Sequence, residues 1–325
     1  MKTRVTMRDV ARAAGVSPMT VSRALKDDGF VNIKTRKVVR EAAHRLGYVY
    51  DTTALAFRAQ KSGFLAVTLP SINNANFAAT HRGLRRALTD YRLEEEERLV
   101  RNLMARRPDA VVLTGGMHTP TTRALVEAAG IPVIEIWDQP QKPLGHVVGL
   151  SNADAMGLVV KHLADTGRRR LAFIGATRDT DRRGAERRRG AEAMAKALGL
   201  PKLRMLDAGD APVTMPHGAK ALTANKDLLG QIDGILCVSD PVAFGAISAA
   251  TGMGIRIPED LAITGFGAFE IAGYSMPKIT TVGVRAAHIG TEAGRILTSL
   301  DDTPASATPQ QKVDTGSALL KGGSS

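Results

Sequence analysis

Residues 6–25 read TMRDVARAAGVSPMTVSRAL, and this stretch predicts two short helices joined by a tight glycine turn. Thr6 is placed to cap the first helix, and Asp9 completes a capping box three residues later. Ser17 is placed to cap the second helix, and Pro18 stands at the first helical position, where a missing N–H costs nothing. The stretch therefore contains two capped helices in close succession.

The apolar and polar side chains of this stretch separate onto two sides. The apolar residues fall where two crossed helices would bury them: Val10, Ala11, Val16, Val21 and Leu25. The outward side of the second helix carries Met19, Thr20, Ser22 and Arg23. This arrangement is typical of a helix-turn-helix, whose second helix fits the major groove of DNA. An amphipathic helical hairpin packed onto a larger domain is the alternative interpretation.

The positive charge of the chain is concentrated near its N-terminus. Residues 1–61 contain thirteen lysines and arginines against five acidic residues, a net charge of +8, whereas the whole chain carries +12. An excess of positive charge on one small module is expected of a surface that binds the phosphate backbone. The charge therefore favours double-stranded DNA as a partner over the hairpin interpretation.

The composition bounds the class of protein. A chain of 325 residues with 44 % hydrophobic residues, 32 Gly and 15 Pro is typical of a globular α/β protein of two or three units. The single cysteine, Cys237, excludes an intramolecular disulfide framework. No apolar run approaches about 18 residues, and no signal peptide is recognisable, so we expect a cytoplasmic protein with no membrane partner.

Short apolar runs alternate with amphipathic segments from Phe64 onward. The predicted strands are Phe64–Leu69, Ala110–Leu113, Val133–Ile136, Val147–Leu150, Leu171–Ile174, Ile235–Val238 and Leu261–Thr264. Clear helices are predicted over residues 120–129 and 241–251, each with a proline in its first turn. Apolar strands separated by helices indicate parallel sheets covered on both faces. The sequence therefore predicts an α/β body with two doubly wound lobes.

Two stretches depart from this pattern. Residues 77–107 contain no Gly or Pro after Gly83 and predict one long polar helix where a doubly wound lobe requires a strand. Either the lobe lacks that strand or a segment near residues 88–91 is absent, and the second is favoured because a lost strand leaves unpaired backbone groups. The end of the chain, Lys321–Ser325, is expected to be soft.

The chain resembles the LacI/GalR family of bacterial sugar-responsive repressors over essentially its whole length. The resemblance rests on Val5–Leu25, on a third predicted helix over Thr35–Leu46, and on Gly47 and Tyr48 after it. Within the family it is most similar to the gluconate-operon repressors, through Leu69–Asn74, Gly130–Asp138 and Leu236–Gly245.

This resemblance implies a domain organisation. A helix-turn-helix head spans residues 1–49, a hinge spans 50–62, and a two-lobed periplasmic-binding-protein-like body for effector binding and dimerisation spans 63–325. Lobe 1 is expected at about 63–149 and 283–308, and lobe 2 at about 150–281 and 309–325. In the family the hinge becomes helical on operator DNA, and the residue matching the one that wedges into the minor groove is Phe57.

Two sets of binding residues follow. The DNA-binding residues are predicted to be Thr6, Ser17, Pro18, Met19, Thr20, Ser22, Arg23 and Phe57. Ligands of parallel α/β sheets bind beyond the carboxyl ends of the strands. Side chains predicted at these ends are Ser71, Asn73, Asn74, Trp137, Asp138, Arg178 and Asp240, and the resemblance adds Arg187. From these we take Ser71, Asn74, Trp137, Arg178, Arg187 and Asp240 as the effector-binding residues.

The residues predicted to bind the effector could instead have a purely structural role. An arginine would pair with the carboxylate of an acidic polyol such as gluconate, and Asn, Ser and Asp would bind its hydroxyls. However, Asp240 could simply cap its helix, Trp137 could be core, and the arginines of 178–189 could form a solvated basic face.

The predicted function is a dimeric repressor that a sugar acid releases from its operator. No nucleotide-binding loop, metal-ligand spacing or nucleophile elbow is recognisable, so neither an enzyme, nor a metal site, nor a cofactor is expected. The alternatives are a corepressor-dependent regulator, a regulator of neutral-sugar genes, a sugar-binding protein without a DNA role, and a sugar-modifying enzyme fused to a DNA module.

Overall fold

The computed structural model describes residues 5–25, 31–48, 93–105, 108–176, 181–209, 213–299 and 309–325. The chain divides into two compact units. Unit 1 comprises Met1–Val112, Met117–Ile134 and Leu300–Pro309, and unit 2 comprises Leu113–Gly116, Glu135–Ser299 and Gln310–Ser325. The predicted hinge, the predicted strand Phe64–Leu69 and the segment near residues 88–91 lie outside the described residues.

Three helices form the N-terminal head. They are α1 (Met7–Ala14), α2 (Pro18–Leu25) and α3 (Ile33–Leu46). Their buried core consists of Val10, Ala11, Val21, Ala24, Val39, Ala42 and Ala43, with Val16 and Leu25 packed against it. The helix-turn-helix prediction is therefore confirmed. Helix α3 begins two residues earlier than expected, because the Asn32 side chain accepts the Lys34 N–H at 2.9 Å and caps it.

The caps predicted for α1 and α2 are present. The Asp9 carboxylate accepts the Thr6 backbone N–H at 2.8 Å and the Thr6 hydroxyl at 2.6 Å, and these bonds hold the pKa of Asp9 below its usual value. The Ser17 hydroxyl accepts the Thr20 N–H at 3.1 Å. Gly15 follows α1 with φ +65°, the left-handed conformation that favours glycine.

Two further helices of unit 1 pack against each other. They are α4 (Leu93–Met104) and α5 (Pro120–Ala129). The Thr119 hydroxyl accepts the Thr122 N–H at 3.0 Å as the cap of α5 and donates to Glu97 of α4 at 2.9 Å. Helix α4 ends before Arg107, and its predicted start lies outside the described residues.

The remaining elements alternate between strands and helices. The strands are β1 (Val111–Thr114), β2 (Val133–Ile136), β3 (His146–Gly149), β4 (Leu171–Gly175), β5 (Arg204–Asp207), β6 (Gly234–Cys237), β7 (Ala262–Thr264), β8 (Thr281–Gly283), β9 (Lys312–Asp314) and β10 (Ala318–Leu320). The helices are α6 (Asn152–Asp165), α7 (Arg182–Ala197), α8 (Met215–Ala224), α9 (Asp240–Gly252), α10 (Glu270–Tyr274) and α11 (Ala286–Thr298), with a 3₁₀ turn at Lys226–Gln231.

The strands form two four-stranded sheets and one small sheet. One sheet has the order β1-β2-β3-β9, and β3 pairs with β9 in parallel. The other has the order β5-β4-β6-β7, and all its neighbours are parallel. Strands β8 and β10 form an antiparallel pair. The predicted α/β body with parallel sheets is confirmed.

The predicted strands that lie among the described residues are buried wholly or on one face. Every residue of β4 and β6 is buried, which explains their continuous apolar runs. Strand β5 was not predicted, because it lies at a sheet edge and leaves Arg204 and Asp207 exposed. Strands β8, β9 and β10 were not predicted either, because each has only three residues and, unlike the equally short β7, none of them is buried throughout.

The end of the chain is ordered, so the expected soft tail is wrong. Ser324 is fully buried. Its hydroxyl accepts the Thr280 N–H at 2.9 Å, and its carbonyl accepts the Ile263 N–H at 2.8 Å. Small polar residues looked unstructured in the sequence, but their hydrogen-bond partners come from two distant segments.

Within the described part of the chain, no helix combines the length and the apolar character that crossing a bilayer requires.

A substitution at the contact between α6 and α7 tests the packing of unit 2. A Cβ at Gly190 of α7 would lie 2.1 Å from the Ala153 carbonyl oxygen. We expect Gly190→Ala to lower the free energy of unfolding of the full chain by about 1–3 kcal/mol. The matched control is Gly290→Ala in α11, where a Cβ meets nothing within 4 Å and helix propensity adds about 0.5–1 kcal/mol. Thermal unfolding followed by circular dichroism measures both variants, and equal stabilities would contradict this packing.

Candidate functional site

The candidate ligand-binding residues of unit 2 lie near the carboxyl ends of its parallel strands. Trp137 and Asp138 directly follow β2. Helix α7, which contains Arg187, follows β4, while Asp240 begins α9 after β6. Phe266 follows β7. The topology therefore brings residues that are far apart in sequence to the strand ends, where such sheets bind ligands.

Arg187 is at the centre of one cluster. Its Nε donates to Asn152 Oδ1 at 2.9 Å, and its Nη1 donates to the Val238 carbonyl at 2.8 Å. The guanidinium carbon lies 3.8 Å from the centroid of the Phe266 ring, which is a cation–π contact. Burial lowers the pKa of Arg187 to about 10, so the side chain stays charged at neutral pH. We call Arg187, Asn152, Trp137, Val238 and Phe266 the Arg187 cluster.

Asn152 connects Arg187 to Trp137. It is 1 % exposed, and its Nδ2 donates to the Trp137 carbonyl at 3.2 Å while its Oδ1 accepts from Arg187. Trp137 is half-buried and has φ +74°, a left-handed conformation that is rare for a tryptophan. Sequence reasoning missed Asn152, although its position three residues after β3, close to the expected boundary between the two lobes, was an available signal.

A second cluster contains Arg182, Asp138 and Glu186, which we call the Arg182 trio. Arg182 Nε lies 3.3 Å from Asp138 Oδ2, and Arg182 Nη2 lies 3.0 Å from Glu186 Oε1. Asp138 is 2 % exposed, and its Oδ1 also accepts the Gln139 N–H at 2.8 Å. Burial raises the pKa of Glu186, and Asp138 raises it further.

Asp240 has protein partners for both carboxylate oxygens. It is fully buried, Oδ2 accepts the Phe269 N–H at 2.7 Å, and Oδ1 accepts the Thr281 hydroxyl. Burial raises the pKa of Asp240, although these hydrogen bonds and the charge of Arg187 act in the opposite direction. The hydrogen bonds of the Asp240 carboxylate join it to Phe269 and Thr281 and not to its own helix, so the carboxylate does more than cap α9. A Cβ at Gly265 would lie 2.1 Å from Oδ1, which explains the glycine.

Several predicted binding residues cannot be placed. Phe57, Ser71, Asn73, Asn74 and Arg178 lie outside the described residues. The structure brings together Trp137 and Arg187, through Asn152. The contacts of Arg187 also distinguish it from a solvated basic face, because its guanidinium is packed on protein.

The candidate nucleic-acid interface is the outward face of α2. Met19 is 63 % exposed, Ser17, Pro18 and Arg23 are also exposed, and Thr20 and Ser22 are half-buried. Thr6 is exposed at the start of α1. The described head carries Arg8, Arg12, Arg23, Lys34, Arg36, Lys37, Arg40 and Arg45 against Asp9 and Glu41. This basic excess suits a DNA backbone.

The described residues contain no group of three or more His, Cys, Asp and Glu side chains that could hold a metal ion. The Cys237 thiol is buried, and burial raises its pKa, so it is not a poised nucleophile.

Comparisons with known proteins match both parts of the chain. Residues 6–51 match the model of bacterial regulatory proteins of the lacI family, and residues 160–325 match a periplasmic binding protein-like domain. The HTH-type transcriptional regulator GntR of Pseudomonas aeruginosa is 33 % identical over 310 residues, which cover 91 % of this chain and 89 % of that protein.

Two further relatives are also transcriptional regulators. The HTH-type transcriptional regulator GntR of Escherichia coli K12 is 30 % identical over 344 aligned positions, which cover 99 % of this chain and 99 % of that protein. The crystal structure of a LacI family transcriptional regulator from Silicibacter pomeroyi is 34 % identical with a TM-score of 0.66, covering 79 % of this chain and 96 % of that one. These relatives are named as regulators and not as enzymes. The chain therefore belongs to the bacterial lacI family and is a DNA-binding transcriptional regulator with a periplasmic-binding-protein-like body.

Proposed function

We propose that this regulator represses transcription from its operator and is released when a sugar acid such as gluconate binds at the Arg187 cluster. The observation that carries the proposal is the arrangement around the Arg187 guanidinium. Two of its N–H groups are taken by Asn152 and Val238, while Nη2 has no hydrogen bond to another described residue. A charged, pre-oriented guanidinium edge is a suitable partner for a carboxylate.

The surroundings of Arg187 suit a polyol acid. Trp137 offers a half-buried aromatic surface, and the predicted hydroxyl partners Ser71 and Asn74 lie outside the described residues. Asp181 and Asp240 both favour the charged form of Arg187, and in this proposal Asp240, whose two carboxylate oxygens have protein partners, does not contact the ligand.

Helix α2 enters the major groove in this proposal. Met19 offers only an apolar contact to a base edge, such as a thymine methyl group, whereas Arg23 can pair with guanine or phosphate. Phe57 is proposed to wedge into the minor groove at the operator centre. Effector binding shifts the body into a state in which the two heads no longer bind together.

A homodimer completes the proposal. Three large apolar side chains within eight residues are exposed: Phe269 at 54 %, Tyr274 at 85 % and Met276 at 91 %. A group of exposed apolar side chains marks an association surface. We place a second copy of the chain on it, because two heads in one assembly match the two half-sites of a near-palindromic operator.

Arg23 tests the DNA interface. We expect Arg23→Ala to weaken binding to an operator fragment, selected from genomic DNA by the wild-type chain, by about 10- to 100-fold. Lys220→Ala is the control, because Lys220 is an exposed cation of unit 2. Gel-shift titrations at one fixed salt concentration measure both. If Arg23→Ala binds like Lys220→Ala, α2 is not the recognition helix.

Arg187 tests the effector site. Trp137 is the only tryptophan, so gluconate binding should change the intrinsic fluorescence of the full chain. Arg187→Lys loses the planar guanidinium and should weaken gluconate binding by about tenfold or more, whereas Arg189→Lys, an exposed neighbour on the same helix, should leave gluconate binding unchanged.

A second test uses the linkage between the two ligands. Operator DNA must weaken gluconate binding by the factor with which gluconate weakens operator binding. If gluconate instead tightens operator binding, it is a corepressor. If the chain binds a neutral hexose and not gluconate, the proposal of an acidic effector is wrong.

Met276 tests the dimer surface. Met276→Glu places a charge on the proposed apolar interface, so we expect the chain to sediment as a folded monomer and to lose most of its operator affinity. Met253→Glu, at a 38 % exposed methionine elsewhere in unit 2, should stay dimeric. A variant Met276→Glu that sediments as a dimer would move the interface to another face.

A further inference from the structure

Two consecutive residues of the β2–β3 loop are each connected to an arginine of α7. The carbonyl of Trp137 reaches Arg187 through Asn152. The carboxylate of the next residue, Asp138, contacts Arg182 directly, with 3.3 Å between Oδ2 and Nε. The Arg182 trio therefore adjoins the Arg187 cluster, and Arg182 has a place in the site that neither the sequence nor the family match assigned to it.

The trio gives one guanidinium two carboxylates. Arg182 Nη2 lies 3.0 Å from Glu186 Oε1, one helical turn further along α7. With all three groups ionised, the trio carries a net charge of −1 next to a site proposed for an anion. This charge offsets the positive charge of Arg187, so an anionic ligand is attracted more strongly when one carboxylate is neutralised. Burial of Glu186 and its closeness to Asp138 raise the pKa of Glu186, so this carboxylate takes up a proton more readily than an ordinary glutamate does.

The charged groups that act on Glu186 come from two elements. Asp138 belongs to the β2–β3 loop and favours the protonated form, whereas Arg182 and Arg189 of the same helix favour the ionised form. Arg187 is the next residue in the helix, and its own pKa is affected by Glu186.

Glu186 is also the partner that Arg182 can exchange. Asp138 is held in place by the Gln139 N–H at 2.8 Å and is 2 % exposed, so it stays where it is. The side chain of Glu186 is 20 % exposed and that of Arg182 is 32 % exposed, so solvent and ligand can reach this pair.

We propose that Arg182 is a second arginine for the anionic effector, and that it exchanges Glu186 for the carboxylate of the effector while Glu186 takes up one proton from solvent. This inference rests on the proposed function, because it requires an acidic effector. The charge balances: the effector brings one negative charge, Glu186 loses one by protonation, and the Arg182–Asp138 pair persists. An acidic ligand is thereby bound together with a proton, and a neutral sugar is not.

Calorimetry tests whether a proton is taken up when gluconate binds. Gluconate is titrated into the full-length wild-type protein in two buffers of equal pH but different ionisation enthalpy, and the difference between the two binding enthalpies gives the number of protons taken up. We expect uptake of up to one proton, and a gluconate affinity that rises as pH falls, by at most about tenfold per pH unit. Glu186→Gln should bind gluconate without uptake, and Glu192→Gln, an exposed control on the same helix, should keep it.

A second variant tests the arginine itself. Arg182→Gln should weaken gluconate about tenfold or more, as expected for a lost hydrogen bond to a charged group, and should also abolish proton uptake, which a merely structural role would leave unchanged. The melting temperatures of both variants confirm that they fold.

The outcomes separate this inference from the proposed function. If gluconate binds the wild-type chain without proton uptake, or if Glu186→Gln keeps the uptake, the proton exchange is wrong and the Arg187 assignment stands. If the folded wild-type chain binds a neutral hexose and not gluconate, the acidic effector is overturned, and the exchange at Arg182 with it.

Discussion

The placement of the Arg187 guanidinium is the interaction on which the candidate effector site depends. A buried cation is costly unless hydrogen bonds and a nearby electron-rich surface compensate it. Here Asn152 comes from the start of α6, the Val238 carbonyl follows β6, and the Phe266 ring follows β7. The cation therefore joins three segments and fixes the positions of the strand ends around it.

The two functional regions of this regulator are built on different physical principles. The head has a small core, in which three valines and four alanines hold three helices together, and its outer surface is basic and polar. Its function requires exposed charge. Unit 2 instead buries charged groups: Asp138, Asp240 and most of Arg187 lie within hydrogen-bonded surroundings. Charges interact strongly in such surroundings because the local dielectric is low.

Local sequence signals predicted the elements that local physics stabilises. The caps at Thr6 and Ser17, the glycine after α1, and the apolar runs of β2, β4 and β6 are each encoded within a few residues. Strands β8, β9 and β10 were missed, because they do not form a fully buried run as the equally short β7 does, and they are stabilised by pairing with segments that are distant in sequence. The hydrogen bonds of Ser324 were missed for the same reason, since its partners are some 44 and 61 residues away.

By itself, the sequence determined the helix-turn-helix head and the alternation that produces parallel sheets, and it predicted Trp137 and Arg187 as effector-binding residues. These follow from helix caps, periodicity, charge and resemblance, all of which can be read along the chain. Only the tertiary structure decided that Asn152 connects Trp137 to Arg187, that Asp138 and Glu186 share Arg182, and that Asp240 is saturated by Phe269 and Thr281. The physical reason is that these bonds join side chains from different strand ends, and their distances exist only after the sheets have formed.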